Sequence, residues 1–98
     1  MNTTDKFNVA AKHALETLQQ IESMLTLLDN LFLTTVYNDL KSTIKDETNE
    51  CHLDKEWYEF TYNVIYSVLQ ISETRYYSVN NCLSKMLSAC DIMKTALN

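Results

Sequence analysis

The chain has 98 residues and not one glycine or proline; 46% are hydrophobic, 21% are charged, and thirteen acidic against eight basic side chains leave a formal net charge of -5. That length supports a single domain, and the apolar content is too high for a disordered chain. The missing glycine excludes Gly-rich phosphate loops, dinucleotide fingerprints and EF-hand calcium loops, and it disfavours the tight hairpins of a β-rich fold, while the acidic balance disfavours direct contact with nucleic acid.

In chain order, the opening Met1-Asn2-Thr3-Thr4-Asp5-Lys6 has no basic stretch leading into an apolar run, so no secretory signal is expected. A helical period then runs from Asp5 to about Lys45. Ala11, Ala14, Leu18, Ile21, Leu25, Leu28 and Phe32 follow in steps of three and four, and Val36, Leu40 and Ile44 extend the seam, which is the spacing of a packed helix face. Thr4 is suited to cap this helix and Asp5 to meet its positive end. Met24, Leu27, Leu31 and Leu33 lie outside the seam; a helix apolar over so much of its circumference needs more than one neighbour. The β-branched run Thr34-Thr35-Val36 is its weakest point.

Residues 46–54 form an acidic connector holding Asp46, Glu47, Glu50, Cys51, His52 and Asp54. Lys41 and Lys45 suit the negative end of the preceding helix, and Asp54, with Glu56 behind it, suits the start of the next. From Lys55 to about Leu97 the helical period returns. Trp57, Phe60, Val64, Val68 and Ile71 make one stripe, and Val79, Leu83, Met86, Cys90, Met93 and Leu97 a second, nearly in phase. Arg75 interrupts the apolar line, so either the helix breaks near 73–78, with Ser78 as a new cap, or Arg75 lies at a bundle end or pairs with a carboxylate. The longest uncharged run, Phe60 to Ser72, is too short to span a bilayer, so no membrane contact is expected.

The pattern thus predicts an all-α chain: a long antiparallel helical hairpin with helices at about 5–45 and 54–97, breakable near 34–36 and 73–78. Unbroken rods of about 40 residues would be about 60 Å long, against a radius of gyration of about 13 Å for a compact chain of this size. Two solutions follow: a broken, compact three- or four-helix bundle, or a four-helix homodimer of hairpins. The gapless helical phase favours the dimer.

Chemistry is sparsely marked. His13 and Glu16 share a helix face, but a di-iron bundle needs the reverse order, Glu-x-x-His, twice. Glu50, Cys51 and His52 are consecutive, so their side chains diverge, and no zinc-ligand spacing occurs. Cys51 beside His52 lacks an orienting third group and an oxyanion loop. Cys82 and Cys90 would sit roughly 12 Å apart on one helix, too far for a disulfide, and read as small core residues. An odd count of three cysteines suits a reducing, cytoplasmic compartment. No catalytic residue, metal or cofactor is expected.

The tyrosines carry the strongest functional signal. Tyr58, Tyr62 and Tyr66 recur every four residues beside the Trp57 stripe, where tyrosine combines a wide apolar ring with a wet phenol. Trp57, Tyr58, Tyr62 and Tyr66, with Glu56 and Glu59 steering a basic partner, are the expected partner-binding residues. The expected function is a small non-catalytic protein-binding module: an adaptor, inhibitor or chaperone-like regulator. The alternatives are a self-associating four-helix-bundle dimer, structural or regulatory, and an acidic mimic blocking a nucleic-acid-binding protein.

Overall fold

The computed structural model describes residues 3–45, 55–72 and 77–98. The acidic connector with Cys51, His52 and Asp54, the Thr4 side chain and Arg75 lie outside the described residues. Those described are all-helical: α1 (Thr3–Gln19), α2 (Glu22–Leu28), α3 (Leu31–Lys45), α4 (Lys55–Ser72) and α5 (Tyr77–Ala96).

The first half is not one rod. It breaks twice, and neither break lies at 34–36, which α3 crosses without interruption. At the first break the Thr17 hydroxyl donates to the His13 carbonyl at 3.0 Å, a back-bond that bends helices. The Gln20 and Ile21 amides then bond three residues back, to Thr17 and Leu18, before the Leu25 amide resumes the four-residue ladder on Ile21. This tightened turn interrupts the helix between Gln19 and Glu22 while Ile21 stays buried.

The second break is a true corner. Asp29 takes the left-handed conformation (φ 47, ψ 50) and donates its amide to the Leu25 carbonyl. Asn30 then caps α3, its Oδ1 accepting the Leu33 amide at 3.1 Å. Aspartate and asparagine are among the few non-glycine residues that adopt these roles at low cost, so Asp29-Asn30 does what glycine does elsewhere. The corner shifts the helical phase: Leu33, Tyr37, Leu40 and Ile44 are buried on α3, while Phe32 of the expected seam turns partly outward and Leu31 lies exposed. In the second half, α4 ends at Ser72 and α5 begins at Tyr77, within the segment where a break was expected.

The breaks resolve the length conflict. The radius of gyration is 13.2 Å and the longest dimension 42 Å, well short of an unbroken rod. The helices alternate in direction. Lys55 of α4 meets Asn98 just past α5, and Lys94 lies over Tyr62, so α4 and α5 are antiparallel. Asn81 of α5 reaches Met24 of α2, while residues 6–13 of α1 line a groove with residues 91–96 of α5; the α1–α2 arm therefore also opposes α5. Tyr37 of α3 bonds Glu22 of α2, which closes the up-and-down order.

Helix α5 is the centre. It packs on α4 and α1 and also touches α2 and α3, and it buries Cys82, Leu83, Met86, Ala89, Cys90 and Met93. Ala10, Ala11 and Ala14 of α1 are buried as well, and small residues on both helices favour close approach of their axes. Each large core side chain, such as Leu18, Ile44 or Met86, contributes about 1.5–3 kcal/mol through burial.

Candidate functional site

Helix α4 carries more apolar surface than its neighbours cover. Its contacts are chiefly with α5. Projected at about 100° per residue, Tyr58, Tyr62, Ile65 and Leu69 fall on one face. Tyr58 and Ile65 are fully buried there, and Tyr62 and Leu69 pack against the core. The stripe legible in the sequence lies about 130° away. Of its members, Trp57 and Val68 form a half-buried shoulder, Val64 is half-exposed, and Phe60 and Ile71 are 69% and 85% exposed. The expected core stripe is therefore largely the outer face, and the physical reason is that α5 engages the tyrosine side of the helix.

The expected partner-binding residues divide accordingly. Tyr58 is not on the surface: its side chain is fully buried, edge-on to Trp57 at 5.1 Å between ring centres. Burial, and secondarily the neighbouring Cys90, push its phenol well above the ordinary tyrosine range. Among the described residues its hydroxyl has no hydrogen-bond partner. Tyr62 is half-buried and stacks on Tyr66 with centres 6.3 Å apart and planes 10° off parallel, while the Lys94 ammonium sits 4.5 Å from the Tyr62 ring centre, within cation–π range. Tyr66 is 47% exposed. Glu56 and Glu59 are exposed. Trp57 lies at the inner edge of the outer stripe, and the Tyr62–Tyr66 pair lies on the opposite shoulder of the helix.

Phe60 and Ile71, which the tyrosine argument passed over, are the most exposed apolar groups of α4. Their signal was the width of the apolar arc, which a single partner helix could not cover. Leu27 and Leu31 at the α2–α3 corner and Tyr77 at the start of α5 are exposed as well.

Other concave features are modest. A cleft of about 240 Å³ between the α1–α2 arm and α3 is lined by Glu22, Tyr37 and Lys41. There the Tyr37 hydroxyl donates to Glu22 Oε2 at 3.0 Å and Lys41 Nζ lies 3.9 Å from the same oxygen. His13 is exposed on the rim of the α1–α5 groove. Among the described residues no three His, Cys, Asp or Glu side chains gather in a way that could hold a metal ion, and no helix is long and apolar enough to cross a membrane. Burial pushes the Cys90 thiol up to about 12 and also raises Cys82, which suppresses the thiolate that a nucleophile or ligand needs. No family model matches the chain, and neither a curated protein nor a solved structure matches it.

Proposed function

We propose that the chain is a small non-catalytic protein-binding module, an adaptor, inhibitor or chaperone-like regulator, that docks through the outer face of α4. The observation that carries this reading is the exposure of Phe60 and Ile71 on a helix whose opposite face is already committed to α5. A soluble helix gains nothing from apolar side chains held in water, and exposed aromatic and branched aliphatic groups in one line are what anchors of an interface look like before docking. Trp57 and Phe60 serve as aromatic anchors, Ile71 fills a facing pocket, and Glu56 and Glu59 steer the approach of basic groups.

A photo-crosslinking amino acid at position 60, expressed in the native host, tests this. Adducts of defined mass at position 60, absent when the same group replaces the exposed Lys12, are the expected result. Equal, diffuse labelling at both positions would remove the reading.

A further inference from the structure

The Asp29-Asn30 corner is a two-residue hinge in a stretch whose sequence reads as unbroken helix. Apolar steps of three and four run straight through it, from Leu25 and Leu28 to Phe32 and Val36. Asp29 alone among the described residues has a positive φ, and a left-handed backbone costs aspartate more than glycine. The helical ladder is intact on either side: the Asp29 amide bonds the Leu25 carbonyl and the Thr34 amide the Asn30 carbonyl, each four residues back. Turning Asp29 and Asn30 to helical dihedrals therefore joins α2 and α3 into one helix over residues 22–45, about 36 Å long.

We propose that the chain exchanges its α1–α2 arm with a second copy by straightening this corner. In the exchanged dimer the arm of one copy lies on α3 and α5 of the other, in the place that the arm of the same chain holds in the monomer. Phe7, Ala14, Leu18, Ile21 and Leu25 of the arm, buried in the monomer, are buried again against the same neighbours. The Tyr37 hydroxyl, bonded to Glu22 within the monomer, bonds the partner's Glu22 instead. Because the core is rebuilt unchanged, the balance between the two forms rests on the hinge and on the entropy of association.

Two features of the hinge favour the open form. Straightening removes the left-handed residue and lets the first amides of α3 bond the last carbonyls of α2; a short corner under such strain invites exchange. It also covers Leu27 and Leu31, which are 86% and 82% exposed in the monomer. At about 100° per residue they stand one turn apart on one face of the straight helix, with Asp29 about 160° from each. The two hinge helices of an exchanged dimer cross at its two-fold axis. There the leucine face of one meets the same face of the other, and the Asp29 carboxylates point away. This self-complementary contact exists only in the dimer. The outer face of α4 is left free in both forms, so the exchange stands apart from docking through that face.

Crosslinking after joint refolding from urea at high protein concentration tests the exchange. Positions 9 on α1 and 95 on α5 line one groove. In a Cys51→Ser background, chains carrying only Val9→Cys are refolded with chains carrying only Thr95→Cys and treated with a short bis-maleimide. On the order of tenfold more linked heterodimer is expected than when Ser67→Cys, at an exposed position on α4, replaces Thr95→Cys, because exchange raises the local thiol concentration. Equal linking in the two mixtures overturns the exchange.

Sedimentation of hinge variants tests the corner. Asp29→Ala combined with Asn30→Ala removes the cap and favours helix at both positions, and should raise the association constant on the order of tenfold. Asp29→Gly should lower it. Leu27→Glu, at a position already exposed in the monomer, should lower it while leaving the monomer folded. An association constant that these substitutions leave unmoved or move in the opposite directions overturns the hinge, as does a chain that stays monomeric in both its native and its doubly alanine-substituted form.

Discussion

The Tyr37 hydroxyl donates to Glu22 Oε2 at 3.0 Å, joining α3 to α2 across the Asp29-Asn30 corner. Burial first, then the hydrogen bond to Glu22 and its charge, push the Tyr37 phenol from its usual 10.0 up to about 12. Because the hydroxyl must keep its proton to donate, the corner is held by a neutral tyrosine. Tyr37→Phe should lower stability by about 1 kcal/mol, read as a reduced urea midpoint with an unchanged slope.

The same shift sets a pH dependence. A phenol whose pKa is higher in the folded state keeps its proton there, while the unfolded chain releases its own near pH 10. The contribution is fully present below pH 10 and is lost as pH rises toward about 12. Stability should therefore fall through that window in thermal melts, and Tyr37→Phe should fall less steeply. Melts equally steep for both proteins across the window would contradict the assignment.

Tyr58 is a buried phenol whose hydroxyl finds no partner among the described residues. Such a group carries a desolvation cost of about 1–3 kcal/mol. Tyr58→Phe keeps the edge-on contact with Trp57 and removes that cost, so it should raise stability by about 1 kcal/mol. Tyr58→Ala should instead cost about 3–5 kcal/mol through the cavity it leaves. Chemical denaturation of the two variants side by side separates the ring from its hydroxyl.

The α2–α3 corner gives a pair of opposite signs. Asn30→Ala removes the cap on the Leu33 amide and should cost about 1 kcal/mol. Asp29→Gly replaces a left-handed aspartate with the residue best suited to that conformation and should raise stability by about 0.5 kcal/mol. Thermal melts decide both.

Cys82 and Cys90 are fully buried, and burial raises both thiols, that of Cys90 to about 12. At neutral pH both should resist alkylation in the folded protein and react on unfolding. Mass spectrometry of each position after a timed pulse of iodoacetamide measures this.

Much of the architecture was legible because helical periodicity and the absence of glycine and proline leave few alternatives to helices, and because the disrupted stripe near Arg75 marked the segment between α4 and α5. The corner at Asp29-Asn30 escaped notice because the apolar seam from Leu25 and Leu28 to Phe32 keeps its helical steps across it; in a chain without glycine, an Asp-Asn pair between two apolar runs is the residual turn signal. The tightened turn at Gln20-Ile21 depends on backbone bonding that no residue type announces. On α4, counting only aliphatic and large apolar residues selects the Phe60–Val64–Ile71 stripe. Tyr58 and Tyr62 were given to the boundary because a phenol tolerates water, yet α5 packs against that side. An apolar arc wider than one neighbour leaves the choice of inner face to tertiary contacts, so the same width that obscured the core face marked the outer one.

Docking through the outer face of α4 is tested most directly at position 64, between the exposed Phe60 and Ile71. A photo-crosslinking group there should give adducts of defined mass in the native host, and Phe60→Lys, at a largely exposed position with little expected change in stability, should abolish them. Adducts that persist unchanged in Phe60→Lys, or labelling at position 64 as diffuse as at the exposed Lys12, would contradict docking through this face.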